Sequence, residues 1–393
     1  MGSSIIVVKN GDRIITSLFE EKEMITVRSD KSEEKASVGN IYLGKVRNIV
    51  KNINAAFVEI SGKEICYLSL NENPDPVFAD RKKHPIRVGD ELIVQIAKDA
   101  TKTKALNGTT NISLTGRYAV LVRGKNSVGV SSKINDEAER NRLKELIKPF
   151  VGADYGFIVR TNAASVPEEE LKAEAERLKE EYDSIINNGI HRTCYSLLFS
   201  APPQYISEIR DGYSSEIECI KTDDKEIYGE IEKYLETCPK EELAKLEFYT
   251  DDRISLSTLY GIESKLQKAL YERVWLDSGA YLIMQPTEAL ISIDVNTGKA
   301  IAGKEDTEDT FLKVNLEAAE EIGRQLRLRN LSGIIIVDFI DMKTEEHKSR
   351  LLKRIREVLA QDHIPAKLVD MTALNLVEIT RQRIHRPLYE QIR

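Results

Sequence analysis

The sequence predicts a multidomain α+β protein that combines a small β-barrel with a sheet built from alternating strands and helices. Three observations predict this class. The chain has 393 residues, enough for two to four structural units. Short strands recur at regular spacing from about residue 39, and apolar strands alternate with helices in the last third of the chain.

The N-terminal elements are predicted strands. Residues 5–30 have the pattern of a three-stranded β-meander, and a polar linker follows up to Gly39. Five short strands with Gly and Asn turns then indicate a small barrel, for which the OB-fold is the leading candidate. The predicted barrel strands are NIYLGKVRNIV, AAFVEI, EICYLSL, ELIVQIAK and TTNISLTGRYAVLV.

The rest of the chain mixes helices with strands. We predict a strand that ends at Arg160 and Thr161, and helices over 135–147, 165–189, 224–236 and 257–274. In the last third we predict the strands ALISIDV, GIIIVDFID and AKLVDMT, with helices at 315–329, at 345–361 and from about Leu376. Nearly continuous apolar runs separated by helices predict parallel strands covered on both faces.

The composition excludes several classes of protein. No apolar run approaches the roughly 20 residues of a membrane span, and the N-terminal segment has no basic leader, so we expect no membrane association. The four cysteines are scattered without a CxxC pair, which argues against a disulfide framework and a cysteine zinc site. Walker A, GxGxxG, GxSxG and HExxH motifs are absent. We therefore expect a reduced, cytoplasmic protein.

The charge is unevenly distributed along the chain. The net charge is −7, yet from Gly39 to Val130 Lys and Arg outnumber Asp and Glu by 14 to 8. Affinity for nucleic acid depends on the charges that face the phosphates, not on the total. An acidic protein with a basic barrel therefore remains a candidate for binding nucleic acid.

Two aspartates end neighbouring apolar strands in the last third. Asp294 ends ISIDV and Asp338 ends GIIIVD, so both carboxylates should emerge at the carboxyl edge of one sheet. Asn296 lies two residues after Asp294 and shares its side of the strand. Two carboxylates and an amide oxygen suit Mg²⁺. The alternative is that each aspartate caps a turn or the next helix, which also fits Asp341.

Aromatic and basic residues are interspersed in the predicted barrel. Rings in a basic groove stack on successive bases of a single strand. The alternative is that one or two of the rings fill the barrel core, with Phe57 the first choice. The aromatic residues are Tyr42, Phe57 and Tyr67, and the basic ones are Lys45, Arg47, Lys51, Lys102 and Lys104.

The strand-end pair Arg160 and Thr161 is a third candidate site. A guanidinium beside a hydroxyl and backbone amides makes a good phosphate clamp. A surface ion pair is the alternative interpretation for this arginine.

The motifs also occur in the order found in one known family. They are GNIYLGKV, AAFVEI, TTNISLTGRYAVLV, FIVRTNA, TEALISIDVNTG, NLEAAEEIGRQLRLRNLSGIIIVDFIDM and VEITRQR. Together they resemble the catalytic region of the ribonuclease E/ribonuclease G family over nearly the whole chain. The resemblance implies an endoribonuclease of RNA processing and decay that cuts single-stranded RNA and prefers a 5′-monophosphate end.

The resemblance also implies roles for individual residues. Asp294 and Asp338 match the catalytic aspartates that bind Mg²⁺, and Asn296 matches the asparagine that supports them. The residues that match the RNA-holding positions of the barrel are Phe57, Tyr67 and Lys104. Those that match the 5′-phosphate pocket are Gly116, Val120, Arg160 and Thr161.

The family architecture implies four units. Residues 1–38 and 206–269 would form a split ribonuclease-H-like unit, with the OB-fold barrel (39–112) and the 5′-sensing unit (113–205) inserted. Residues 270–393 would form a deoxyribonuclease-I-like unit that carries the metal.

The sequence departs from the family pattern in three places. No CPxC motif follows the RQR stretch, so we expect any homodimer to form without a shared zinc ion. A basic residue that helps to close the 5′ pocket in the family is replaced here: Pro365 stands near its place, with Lys367 two residues further on. Asn375 stands where the family usually has glycine.

Two functions are compatible with these residues. The first is a Mg²⁺-dependent endoribonuclease, in which a metal at Asp294 and Asp338 activates water for attack on a phosphodiester. The second is a non-catalytic protein that binds single-stranded RNA. The aspartate pair and Asn296 favour the enzyme, because a binding protein has no need of them.

Overall fold

The computed structural model describes residues 2–31, 37–62, 64–100, 105–211, 217–300 and 307–392. The chain forms two compact units, one of Met1–Ser32 with Ile217–Arg393 and the other of Glu33–Glu216. Both units combine sheets with helices, so the predicted α+β class is confirmed. The four-way division implied by the family is finer than these two units and stays a prediction.

The N-terminal segment forms the predicted meander. Its strands are β1 (Ser3–Asn10), β2 (Arg13–Glu20) and β3 (Glu23–Lys31). Successive strands pair in antiparallel register, and Ile6, Val8 and Val27 contribute to a buried cluster. The pairing places these three side chains on one face of the sheet, and Ile5 and Val7 on the other face of β1 are buried as well.

A closed five-stranded barrel begins the second unit. Its strands are β4 (Ile41–Val50), β5 (Ala55–Ser61), β6 (Glu64–Ser69), β7 (Glu91–Lys98) and β8 (Leu106–Thr109). The strand order is β4-β5-β6-β8-β7, and β4 also pairs with β7 to close the barrel. This arrangement is consistent with an OB-like fold. The predicted fifth strand was wrong, because Leu106–Thr109 fills that place and most of the later stretch joins another sheet.

A four-stranded sheet with three helices and one further strand completes this unit. The elements are β9 (Ser113–Thr115), β10 (Ala119–Arg123), β11 (Val128–Val130), α1 (Glu137–Ile147), β12 (Tyr155–Val159), α2 (Glu168–Gly189), β13 (Leu197–Phe199) and α3 (Gln204–Asp211). The strand order is β11-β12-β10-β9, while β13 pairs with β4 of the barrel. Leu143 of α1 and Leu171 of α2 are buried in the same core as Leu121 and Phe157 of the sheet.

The chain then returns to the N-terminal sheet. The next elements are β14 (Ile217–Thr222), α4 (Lys225–Leu235), α5 (Lys240–Leu243), β15 (Leu246–Phe248), α6 (Leu256–Leu259) and α7 (Ile262–Ala269). β14 pairs in parallel with β1, giving the order β15-β14-β1-β2-β3. Strands far apart in sequence therefore share one sheet.

The last third forms a six-stranded sheet. Its elements are β16 (Arg273–Trp275), β17 (Tyr281–Pro286), β18 (Ile291–Asn296), α8 (Thr307–Leu328), β19 (Gly333–Asp338), α9 (Glu345–Ala360), β20 (Ala366–Met371), β21 (Leu376–Arg381) and α10 (Leu388–Gln391). The order is β16-β17-β18-β19-β21-β20. The β18–β19 pair is parallel, and the other pairs are antiparallel.

Helices pack against one face of this sheet. Leu282, Val295 and Val337 point to the buried face, where they meet Leu326 of α8 and Ile355 of α9. Residues between them in the strands point the other way and are half-buried or exposed. The predicted parallel pairing is confirmed for β18 and β19, whereas the predicted cover on both faces was wrong.

The expected helix from about Leu376 was also wrong. Leu376–Arg381 is a strand that pairs with both β19 and β20. Val377 and Ile379 alternate with polar neighbours and face the core, which is the two-residue period of a strand. Among the described residues, none of the helices has both the length and the apolar character that a membrane span requires.

Candidate active site

The parallel strands β18 and β19 bring the two predicted aspartates side by side. Asp294 and Asp338 are direct register partners, and both side chains are exposed. Register partners point to the same face of a sheet, here the one opposite the helices. Asn296 lies on the same strand face, and its Nδ2 donates a hydrogen bond to Asp294 Oδ2 at 2.6 Å. The three residues predicted to act together are therefore neighbours.

The carboxylates carry uncompensated negative charge. Partial burial, then the charges of Asp294 and Asp341, raise the pKa of Asp338 above its ordinary value. A bound cation would relieve this repulsion, and carboxylate and amide oxygens are the ligands that Mg²⁺ takes alongside several waters. Over the described ranges, His, Cys, Asp and Glu form no group of three or more arranged to hold a metal. The aspartate pair and Asn296 supply two carboxylates and an amide oxygen, which could hold a divalent metal ion together with waters.

Asp341 is held next to this pair by a residue that sequence reasoning did not connect with it. Asn375 Nδ2 donates to Asp341 Oδ1 at 3.2 Å. Asn375 has φ +61°, in the left-handed region that asparagine tolerates better than most residues other than glycine. Glycine favours this region as well, and the asparagine side chain makes a contact that glycine cannot make.

Two predicted RNA-binding aromatics share the outer face of the barrel. Phe57 and Tyr67 are register partners with ring centroids 6.1 Å apart, and both are half-buried. The barrel core is filled instead by Tyr42, which is 3% exposed. The alternative that placed Phe57 in the core was therefore wrong. Lys104 lies outside the described residues.

A row of polar side chains extends this aromatic pair across the barrel. An asparagine side chain lies on each side of the two rings, and a lysine lies at one end of the row. The successive register partners on β4, β5, β6, β8 and β7 are Asn48, Phe57, Tyr67, Asn107 and Lys98. The row offers ring faces, amides and one positive charge along a single line.

The residues predicted for the 5′-phosphate lie around the ends of β9, β10 and β12. Arg160 Nη1 donates to Gly116 O at 2.8 Å, so these two residues touch. Val120 is the register partner of Thr115, which precedes Gly116. Thr161 begins a 3₁₀ turn, and its hydroxyl lies 3.0 Å from Ser131 Oγ. The four residues therefore meet at one end of this sheet.

Two carboxylates support this end of the sheet, and no sequence motif predicts either of them. Asp211 accepts from Arg160 Nη1 at 2.7 Å and from both Arg210 Nε and Nη2 at 2.9 Å. The ion pair considered as the alternative for Arg160 is therefore present. Glu174 accepts from the backbone N–H groups of Arg117, Tyr118 and Ala119 at 2.7 to 2.9 Å. Except for Arg210, which precedes Asp211 in the chain, their partners lie far away in sequence, so no local motif reveals these contacts.

The fold and the site define a class: an α+β protein with an OB-like barrel and an exposed aspartate pair suited to Mg²⁺. Comparison with known proteins makes the class specific. Residues 113–384 match the model of the ribonuclease E/G family. The chain therefore belongs to the ribonuclease E/G family.

Individual relatives match over most of the chain. Ribonuclease G of Haemophilus influenzae is 35% identical over 97% of this chain and 79% of its own length. Ribonuclease G of Escherichia coli K12 is 35% identical over 91% of this chain and 75% of its own length. Ribonuclease E of Synechocystis is 34% identical over 98% of this chain but 57% of its own length.

Proposed function

We propose that this protein is a Mg²⁺-dependent endoribonuclease that cuts single-stranded RNA in RNA processing and decay. The observation that carries the proposal is the in-register pair of exposed carboxylates, Asp294 and Asp338, on adjacent parallel strands. Membership of a ribonuclease family supports it, as do relatives named ribonuclease G and ribonuclease E. The four cysteines are free, which is compatible with a cytoplasmic location.

Each group of residues has a separate task in this proposal. Asp294 and Asp338 would hold Mg²⁺, with Asn296 fixing the orientation of the Asp294 carboxylate through its hydrogen bond. The metal ion would supply a bound water of lowered pKa and neutralise charge on the phosphodiester. Phe57 and Tyr67 would stack on bases, and Lys104 would contact the RNA backbone with its positive charge.

The 5′ end of the RNA would be recognised by the second unit. Arg160 and the hydroxyl of Thr161 would bind the 5′-phosphate, with the backbone around Gly116 and Val120 shaping the pocket. We also propose the division into units implied by the family: 1–38 with 206–269, 39–112, 113–205 and 270–393. The first would be ribonuclease-H-like and the last deoxyribonuclease-I-like.

Substitution of the aspartates tests the catalytic assignment. Asp294→Asn and Asp338→Asn should each slow cleavage of a 5′-labelled, A/U-rich single strand by about a thousandfold, because a catalytic metal contributes several kcal/mol. EDTA should abolish wild-type cleavage. RNA affinity should persist in both cases, since the barrel is unchanged.

Asp370→Asn is the matched control, because Asp370 is an exposed aspartate of the same sheet. It should cut at the wild-type rate. If Asp294→Asn and Asp338→Asn also do so, the assignment is wrong. A wild-type protein that binds RNA but never cuts with Mg²⁺ would instead be the non-catalytic RNA-binding protein. Comparing 5′-monophosphate with 5′-hydroxyl substrates measures the contribution of the 5′ pocket.

A further inference from the structure

A cation and two aromatic rings form an exposed cluster on strands β16 and β17. The Arg273 guanidinium lies over the Tyr281 ring, 4.6 Å from its centroid, and 5.6 Å from the centroid of Trp275. The two rings lie 5.2 Å apart at an angle of 58°. Trp275 is 62% exposed, although it is among the largest apolar side chains. Surface aromatics grouped in this way usually mark a binding surface.

The register of the sheet connects this cluster with the aspartate pair. Trp275 pairs with Tyr281, and Tyr281 pairs with Asn296, so these three side chains form one row across the sheet. The adjacent row runs from Arg273 through Ile283 to Asp294 and Asp338. Members of a row point to the same face.

The cluster therefore lies on the same sheet face as the carboxylates. Because neighbouring strands are about 4.8 Å apart, Trp275 is roughly 10 Å from Asn296.

The opposite side of these strands already supplies the core. Leu282 and Met284, which alternate with Tyr281 and Ile283, are buried against the helices. Packing therefore does not require the rings of Trp275 and Tyr281. An exposed ring offers its π-face to a base, and an arginine beside it offers a charge to a phosphate or a plane for stacking.

We propose that Arg273, Trp275 and Tyr281 bind a nucleotide of the single-stranded RNA next to the scissile phosphate. This inference rests on the proposed function, because it takes Asp294 and Asp338 as the place of cleavage. The base stacks on Trp275 or Tyr281, and Arg273 contacts the backbone. Stacking does not depend on base identity, so the contact adds affinity more than sequence preference. This contact stabilises the bound substrate and the transition state equally. Its loss therefore raises KM and leaves kcat unchanged.

Trp275 provides a direct readout, because it is the single tryptophan of the chain. The full-length Asp294→Asn variant would be titrated with a short A/U-rich RNA, and tryptophan fluorescence would be recorded. Stacking predicts a saturable change in emission. Arg273→Ala should weaken the titration, since it removes the cation of the cluster.

Kinetics provide the second readout. Trp275→Ala should raise KM about five- to thirtyfold with kcat within about twofold of wild type. Trp275→Phe should restore most of the loss, because phenylalanine retains a ring face. Leu259→Ala is the matched control: Leu259 is an apolar side chain 55% exposed in the same unit but outside this sheet. It should leave KM unchanged.

The outcomes separate this inference from the proposed function. If the wild type cuts RNA, but RNA leaves the emission of Trp275 unchanged and Trp275→Ala keeps its KM, the inference is wrong and the endoribonuclease stands. If the wild type does not cut, the proposed function is wrong, and the fluorescence titration alone decides whether the cluster binds RNA. A Trp275→Ala variant that sediments as a monomer while the wild type sediments as a dimer would assign the face to a second copy and overturn the inference.

Discussion

At the scale of single residues, Asp211 joins two arginines from different elements. It accepts hydrogen bonds from Arg160, which follows β12, and from Arg210 of α3. Partial burial by itself would raise the pKa of Asp211, but the hydrogen bonds and charge of Arg210 and Arg160 outweigh it and lower the pKa below the ordinary value. A 5′-phosphate at Arg160 would therefore compete with a carboxylate that already binds the guanidinium.

The lowered pKa of Asp211 predicts a pH-dependent stability. The folded protein favours the ionised carboxylate, so its contribution is complete above the unfolded-state pKa of about 4 and is lost as the pH falls through the folded-state pKa. Urea unfolding should find Asp211→Asn less stable than wild type at pH 7, and the difference should shrink below about pH 4. Asp252→Asn, at an exposed aspartate, should show little difference at any pH. A constant gap between Asp211→Asn and wild type would contradict this prediction.

The sequence predicts some of these residues and not others for a physical reason. Asp294 and Asp338 each end an apolar strand, so strand pattern alone places them at a sheet edge, and the structure brings them together. The contacts of Asp211 with Arg160 and of Asn375 with Asp341 join residues far apart in sequence, so no local pattern records them.

At the scale of elements, helix α2 is tied to the turn between β9 and β10. Glu174 of α2 accepts three backbone hydrogen bonds from this turn, and a Cβ at Gly116 would lie 2.4 Å from Glu174 Oε1. Glycine at 116 therefore lets the carboxylate approach the backbone closely. The helix holds the turn that carries Gly116 and Val120 in one conformation.

Removing this carboxylate should destabilise the second unit. Glu174→Ala would leave three backbone N–H groups without their acceptor, at a cost of about 2–3 kcal/mol. It should also lower the preference for 5′-monophosphate over 5′-hydroxyl RNA, because the turn loses its support. Glu176→Ala on the same helix removes only a surface ion pair with Lys179 and should cost less than about 1 kcal/mol. Equal urea midpoints for the two variants would show that Glu174 does not hold the turn.

The errors in predicting elements also have physical causes. Ile334 and Ile336 point to the sheet face opposite the helices, while Ile335 and Val337 point to the core. Apolar residues on both sides make β19 resemble a strand buried on both faces. Leu376–Arg381 is short and contains both apolar and polar residues. Its assignment to a strand depends on pairing with β19 and β20, which only the tertiary structure reveals.

At the scale of the whole molecule, charge is separated between regions. The net charge of −7 coexists with an excess of Lys and Arg between Gly39 and Val130, the part of the chain that contains the barrel. The barrel and the aspartate pair belong to different compact units. The uneven charge can be predicted from the composition. Which segments belong to each unit depends on the pairing of β14 with β1, which composition does not reveal.

The charge asymmetry predicts a salt-dependent affinity for RNA. Lys98 ends the row that contains Phe57 and Tyr67, so Lys98→Ala should reduce the slope of log affinity against log salt by about 0.7. Binding of an uncut RNA in EDTA, measured between about 50 and 200 mM salt, would show this. Lys353→Ala, at an exposed lysine on α9, should leave the slope unchanged. An unchanged slope in Lys98→Ala would place the RNA elsewhere.

The one-sided packing of the six-stranded sheet has a consequence for how a polymer reaches Asp294 and Asp338. Their side chains are exposed on the face opposite the helices, as is the ring of Trp275. A tunnel would require one terminus to thread through it, so its substrate would be consumed from an end. An exposed sheet face lets a strand be laid down sideways at any point along its length. In the proposed enzyme, neither terminus would therefore have to pass the aspartate pair before the first cut.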